Sequence, residues 1–379
     1  MTPGVQGLMS DPRTRESLAT STGADSLFRC VGCTISALLC PLVLWMGPPT
    51  CPAARTLQTH TEPGMPGAIV SSVESVGLTV SDMDRSLDFY SRILSFVKIS
   101  DVELTGSDYE HLEGVFGLRM RVVRMRLGTE FIELTEYLAP KGRPAPPDSR
   151  SNDCWFQHFA IVTSDMDKAY AWLRQNKVQH ASSGPQTLPW YIRPAAGIRA
   201  FYFADPDSHP LEILQFPPDK GTTKWHQPGS DLFLGIDHTA MVVRDTETTL
   251  RFYRDTLGFS ITGESENYGP EQEHLNNVFG ARLRITSLRV ASGPGIELLE
   301  YLAPPGGRAA PVDEHANDLI HHQTRLVARS MEELARRLNV ERYVLISSGI
   351  VAIPKAELGF HTGLLVRDPN GHAIEFVEP

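Results

Sequence analysis

The stretch Gly295-Ile-Glu-Leu-Leu-Glu-Tyr-Leu-Ala-Pro304 occurs a second time, nearly word for word, as Glu130-Phe-Ile-Glu-Leu-Thr-Glu-Tyr-Leu-Ala-Pro140. Such a recurrence marks an internal duplication. Both copies alternate with period two, as a strand with two unlike faces does. Phe131, Glu133, Thr135 and Tyr137 share one side, and Ile132, Leu134 and Leu138 share the other. Gly295, Glu297 and Tyr301 likewise oppose Ile296, Leu298 and Leu302. In each copy an acid points away from the oily layer.

Working outward, the duplication covers most of the chain. The same spacing separates Phe89 from Phe252 and His111 from His274, and one further residue separates Glu133 from Glu297. Glu110-His-Leu-Glu-Gly-Val-Phe-Gly117 answers Glu273-His-Leu-Asn-Asn-Val-Phe-Gly280. Before each copy, a short strand (Val76 to Val80, Thr239 to Val243) leads into a helix, with Asp82 as the N-cap of the first. Each half then holds a second unit. His158-Phe-Ala-Ile-Val162 precedes a helix over Met166 to Arg174 and strands Ala200 to Ala204 and Pro210 to Phe216. Gln323-Thr-Arg-Leu-Val327 precedes a helix over Met331 to Leu338 and strands near Leu364 to Arg367 and Ala373 to Val377. The turns Asp205-Pro-Asp-Ser-His209 and Asp368-Pro-Asn-Gly-His372 feed the last strand of each half. The pattern predicts an α+β protein of four βαβββ modules.

Composition sets the limits. At 379 residues the chain is long enough for two domains with cores of their own. The residues are 21% charged and 41% hydrophobic, and a net charge of -10 argues against a general nucleic-acid binder. A small-molecule partner is expected, with no nucleic acid. Cys30, Cys33, Cys40 and Cys51 precede the modules, so only Cys154 falls within them and no disulfide framework holds the fold. Residues 1–72 read as a disordered tail and linker. Within them Arg29 and the apolar run Cys33 to Met46 have the layout of an export signal or membrane anchor over 29–54. Pro41 interrupts that run, which keeps a cytoplasmic protein with a disordered tail as the alternative. Pro217, Pro218, Gly221, Pro228 and Gly229 mark a linker over 218–234 between a first domain, 73–217, and a second, 235–379.

Val76-Gly-Leu-Thr-Val-Ser-Asp-Met-Asp-Arg-Ser-Leu-Asp-Phe-Tyr90, its partner Thr239 to Tyr253, and the two Asp-Pro turns ending in Glu212 and Glu375 occur in this order twice over. They resemble the vicinal oxygen chelate superfamily, the glyoxalase, bleomycin-resistance and extradiol-dioxygenase group, in a tandem form covering residues 73–379. The resemblance implies two glyoxalase-like open barrels, each a curved sheet with helices outside, a pocket inside, and metal ligands on the first and last strands of each module. Carried over residue by residue, it implies His238, Glu297, Gln323 and Glu375 as ligands in the second barrel. In the first barrel it implies Glu133, His158 and Glu212, with Ser75 a poor fourth.

An ionised glutamate facing a cavity needs a partner or a cation. Two carboxylates with two neutral donors balance a divalent ion, and this set does not choose among Zn, Ni, Mn, Co and Fe. The competing arrangement is pairing of the glutamates with arginines such as Arg119, Arg121, Arg282 or Arg284. The reversed order of Gln157-His158 and His322-Gln323 leaves open a bulge presenting His322 instead of Gln323. His111 and His274 are candidates for contact with a substrate, as is Arg325, whose strand position points it with Gln323.

One histidine with two glutamates resembles the redox-neutral branch of the family, lactoylglutathione lyase in particular, rather than the two-histidine iron site of the dioxygenases. The expected activity is that of a metal-dependent lyase or isomerase, with Glu297 or Glu375 as the base that moves a proton. A non-catalytic ligand-binding protein of the bleomycin-resistance type is the alternative, and no glutathione-contacting residues are identifiable.

Overall fold

Each module begins with a strand whose next residues cap a helix. The Asp82, Asp165 and Asp245 carboxylates accept from the backbone N–H three residues on at 3.0, 3.0 and 2.7 Å, and the Ser330 hydroxyl does so at 3.3 Å. Four repeated caps satisfy otherwise orphaned donors and fix four helix starts. The computed structural model describes residues 68–379 apart from Pro228, Ser230 and Gly306, so the signal-like segment 29–54 lies outside the described residues.

The first module comprises β1 (Val70–Thr79), α1 (Met83–Asp88), β2 (Val97–Thr105), α2 (Ser107–Glu113), β3 (Arg119–Leu127) and β4 (Glu130–Ala139). The second comprises β5 (Gln157–Thr163), α3 (Met166–Gln175), the short β6 (Gln179–His180) and β7 (Gln186–Thr187), β8 (Arg199–Ala204) and β9 (Pro210–Gln215). The third repeats the first as β10 (Phe233–Val243), α4 (Thr246–Leu250), β11 (Ser260–Tyr268), α5 (Pro270–Asn276), β12 (Arg282–Arg289) and β13 (Gly295–Ala303). The fourth repeats the second as β14 (His322–Ala328), α6 (Met331–Glu341), β15 (Val344–Leu345), β16 (Val351–Ala352), β17 (Thr362–Arg367) and β18 (Ala373–Glu378). Among the described residues no helix is long and apolar enough to cross a membrane.

The modules pair across the halves of the sequence. Sheet I runs β15-β17-β18-β14-β1-β4-β3-β2, joining the fourth module to the first, and sheet II runs β11-β12-β13-β10-β5-β9-β8-β6, joining the third to the second. The expectation that 73–217 and 235–379 each close a barrel of their own is therefore corrected. The reason lies in the oily faces. Val76, Leu78, Ile132 and Leu134 of the first module share one buried cluster with Phe159, Ile161, Leu211 and Ile213 of the second. Met241 and Leu298 of the third share another with Leu326, Ile374 and Phe376 of the fourth. Consecutive modules thus pack back to back, and their edges cannot also join in one sheet. The open edges of β1 and β5 are met instead by β14 and β10 from the other half.

Two latches secure the exchange. Arg143, just past β4, donates from its backbone N–H and its guanidinium to Asp318, ahead of β14. Arg308, just past β13, makes the same contacts to Asp153, ahead of β5. Both arginines follow a glycine held against the partner segment: a Cβ on Gly142 would overlap the Asn317 carbonyl oxygen, and one on Gly307 that of Asn152.

Candidate metal centre

Strand register gathers four polar side chains in sheet II. His158 of β5 pairs with Ala240 of β10, and His238 of β10 pairs with Ala160 of β5. Glu212 of β9 lies beside Ala160, and Glu297 of β13 lies beside Ala240. Each of the two modules supplies a histidine from its first strand and a glutamate from its last. Ala160 and Ala240 keep bulk out of the space between them.

The donor atoms converge. His158 Nε2 lies 3.0 Å from Glu212 Oε2, and His238 Nε2 lies 3.6 Å from that oxygen and 3.4 Å from Glu297 Oε2. One donor atom each from His158, Glu212 and His238 fits within 4.8 Å of the others. Behind His238, Nδ1 is hydrogen-bonded to Asp237 Oδ2 at 3.0 Å, and Asp237 Oδ1 accepts from Trp225 Nε1 and Arg289 Nη2, both at 3.0 Å. An outer carboxylate of this kind sets the ring with Nε2 toward the cluster, as around metal-ligating histidines. Glu297 Oε1 accepts from Ser287 Oγ at 2.7 Å.

The charges make a demand that a cation meets. Burial pushes the Glu212 carboxyl upward, but hydrogen bonds from His158 and His238 outweigh it and hold the group at about 2. Burial works against charge on His238, yet Glu297, Asp237 and Glu212 together raise it well above the usual histidine range. Three carboxylates thus pull positive charge onto one imidazole. The two glutamates and two neutral imidazoles would balance a divalent ion outright, and a nitrogen and oxygen set suits Zn, Ni, Mn, Co or Fe. The cluster opens on a cavity of about 340 Å³ whose walls include Tyr202, Asn267, Gln272, Leu275 and Leu299.

Sheet I carries the same register with a different filling. Ser75 pairs with Arg325 and Gly77 with Gln323, while Glu133 lies beside Gly77 and Glu375 beside Arg325. The residue two places beyond the ligand position, alanine in both strands of sheet II, is here Arg325. Its Nη1 donates to Glu133 Oε1 at 2.5 Å and its Nε to Glu375 Oε2 at 2.6 Å, with Phe360 stacked 4.9 Å away. Gln323 Nε2 also donates to Glu375 Oε2, at 3.2 Å. A built-in guanidinium compensates these acids, and Leu104, Tyr109, Tyr137 and Leu365 belong to an apolar cluster packed over the same face.

The profile of the Glyoxalase/Bleomycin resistance protein/Dioxygenase superfamily matches residues 72–213 and again 235–376. The chain belongs to this superfamily. A 2-epi-5-epi-valiolone epimerase from Actinomyces sp. is 31% identical over 161 residues, which are 41% of this chain and 83% of that protein. The uncharacterised protein YwkD of Bacillus subtilis is 26% identical over 147 residues, 39% of this chain and 98% of that one. Among solved structures, glyoxalase I from Zea mays superposes with a TM-score of 0.54 at 15% identity, over 81% of this chain and 92% of that one. A putative dioxygenase from Bacillus subtilis reaches 0.50 at 13% identity, over 82% and 86%. At such identities the structural likeness shows the shared superfamily fold.

Within that fold the expected ligands are redistributed. His238 and Glu297 stay together, but Gln323 and Glu375 lie in the other sheet, and their places are taken by His158 and Glu212. Glu133, grouped in sequence with His158 and Glu212, instead joins Glu375 around Arg325. One histidine with two glutamates becomes two with two. Arg325 is buried between the acids, which its guanidinium compensates with help from Arg124 at Glu133 (3.3 Å), not Arg119, Arg121, Arg282 or Arg284. Gln323, not His322, turns to the concave side, because β14 pairs with β1 in register there. His111 and His274 are exposed on α2 and α5 and line no part of the cavity described above. Asp237, Ser287 and Asn267 were not singled out by sequence. For Asp237 a signal existed, an acid directly before the ligand histidine.

Proposed function

We propose that sheet II is the working site of a divalent-metal-dependent isomerase that moves a proton at a carbon next to a carbonyl of a small hydroxylated compound. The cluster of His158, Glu212 and His238, with Glu297 3.4 Å from His238 and a cavity beside it, carries this reading, and the epimerase among the relatives supports it. His158, Glu212, His238 and Glu297 would hold the ion. When bound, a divalent cation supplies Lewis-acid polarisation of adjacent substrate oxygens.

The chain's own residues divide the remaining work. Glu212 is clamped by both histidines and held at about 2, so it is a weak base suited to holding charge. Glu297 is the more accessible carboxylate, its side chain 22% exposed and tethered by a single hydroxyl from Ser287. It can swing to take a proton and return it, the role of general base. Asp237 keeps the His238 ring fixed while this happens. A dioxygenase would use two histidines and one carboxylate with further positions open to oxygen. The fourth donor, Glu297, 3.4 Å from His238, favours the redox-neutral reaction.

Protein purified without chelator is expected to carry one ion per chain, and Glu212→Gln to lose it. The metal-loaded protein should exchange the carbon-bound proton of α-hydroxyketones with deuterated water, followed by NMR, and Glu297→Gln should abolish exchange. Oxygen uptake with catechols, or exchange unaffected by Glu297→Gln, would refute the assignment.

A further inference from the structure

The gene duplication supplies an internal comparison for the cavity of sheet II, because its strands and helices repeat those around the packed face of sheet I. One group of wall residues changes character as a set. Asn267 of β11 and Gln272 and Asn276 of α5 correspond, by the constant spacing of the repeat, to Leu104, Tyr109 and Glu113. Three amides in the open barrel replace a leucine, a tyrosine and a glutamate in the filled one. Leu104 and Tyr109 lie in the apolar cluster of sheet I, whereas Asn267 and Gln272 line the cavity.

The amides form a chain. Asn267 Nδ2 donates to Gln272 Oε1 at 3.1 Å, Gln272 Nε2 donates to Asn276 Oδ1, and Asn276 Nδ2 donates to the Tyr301 hydroxyl at 2.8 Å. All three amide residues are 1–3% exposed. Asn267 lines the cavity, and its Oδ1 is buried with no hydrogen-bond partner. A buried unpaired acceptor carries a desolvation penalty, and native proteins rarely leave one without a reason. Resting on the isomerase reading above, we infer that Asn267 is a specificity residue that reads a substrate hydroxyl, held in orientation by Gln272, Asn276 and Tyr301. A hydroxyl seated against Asn267 donates to Oδ1 once the amide turns toward the cavity, and it accepts from the amide if the dipoles of the chain run the other way. An alkyl group could do neither. The substrate class is therefore a polyhydroxylated ketone or aldehyde: one oxygen pair directed at the histidine-glutamate cluster and a further hydroxyl at the amide wall.

The test uses full-length protein loaded with cobalt(II) and two probes, pentahydroxycyclohexanone and α-hydroxycyclohexanone. Both carry the adjacent oxygen pair, and only the first has further hydroxyls. Calorimetry should show the wild type preferring the polyol by roughly tenfold or more, as expected for pairing one buried acceptor. Asn267→Leu, the residue of the packed barrel, should bind both ketones alike with cobalt binding intact, and Asn267→Ala serves if the leucine variant does not fold. Tyr301→Phe, which cuts the far end of the chain, should narrow the preference without changing affinity for α-hydroxycyclohexanone. No preference in the wild type, or an equal preference in the Asn267 variants, overturns the inference while the cobalt spectrum leaves the metal centre standing. Failure to bind cobalt removes the centre itself, and this inference with it.

Discussion

Replacing Arg325 by leucine strikes the one buried cation that two acids of sheet I share. Glu133 Oε1 and Glu375 Oε2 sit 2.5 and 2.6 Å from its guanidinium, and the side chains of all three are no more than 7% exposed. Breaking a buried pair by removing one partner costs about 3–5 kcal/mol, because the stranded charge stays desolvated. The leucine recovers part of this by burying apolar surface. The loss should depend on pH. Burial, with Glu113 and Glu133 nearby, already lifts Glu375 to about 7 despite the pull of Arg325. For an acid raised above its unfolded value the native state binds the proton more tightly, so stability falls as pH rises from the ordinary carboxylate range through that value. Without Arg325 the upper end of this window moves higher. Urea unfolding of Arg325→Leu should show a deficit of about 3 kcal/mol near pH 8 that shrinks toward pH 5, where the carboxyls are protonated. Adding Glu375→Gln should restore much of it at the higher pH. A deficit under about 1 kcal/mol, or one that grows on acidification, would refute the account of Arg325 as an internal counter-ion.

Three further outcomes follow from the same geometry. Glu375→Gln should leave the metal content of the protein unchanged, since Glu375 belongs to sheet I; elemental analysis of the purified variant checks this. His238 is held above its ordinary range by its carboxylate neighbours, so a metal must displace a proton from it. Apparent metal affinity should rise with pH below that raised value, by up to about tenfold per unit for one proton, and calorimetry in two buffers of different ionisation enthalpy should detect the released proton. Gly307→Ala forces a methyl onto the Asn152 carbonyl and should lower stability by about 3 kcal/mol or prevent folding, whereas alanine at Gly263, whose Cβ would come no nearer than 3.7 Å to a neighbour, should cost far less in the same melts.

The modules were legible in the sequence because their signals are local. Period-two alternation, an aspartate or serine before each helix and the Asp-Pro turns depend only on neighbours along the chain, and the four observed caps follow them. Which module meets which was not legible. The first strands β1, β5, β10 and β14 present similar edges, so alternation alone permits pairing within a half or across halves. The deciding contacts are long-range: Phe159 and Ile161 against Val76 and Leu78, and the glycine-arginine latches against Asp153 and Asp318. The inward-facing polar positions were therefore readable from their places on the strands, while the sets they form were not. Sequence spacing put Glu375 with Glu297, and only the exchanged sheets separate them.

One position then explains why two barrels built from the same repeat differ in chemistry. Two places beyond each first-strand ligand, the side chain points into the shared space from the facing strand. Alanine there, at 160 and 240, leaves His158, Glu212 and His238 close together, with Glu297 beside His238. Arginine there, at 325, delivers a permanent charge between Glu133 and Glu375, and Gly77 opposite Gln323 makes room for the surrounding side chains. Once the guanidinium satisfies the acids, a histidine at Ser75 has no cation to ligate, and the neighbouring wall can close with Leu104 and Tyr109. Sheet II, its acids answered by no arginine among the described residues at bonding distance to Glu212 or Glu297, retains both the charge demand and the polar wall of Asn267 and Gln272. Because each barrel draws one module from each half, the first repeat supplies half of the open site and the second supplies the other half. Neither repeat alone contains all four of these side chains, which ties the proposed chemistry to the exchange of modules itself.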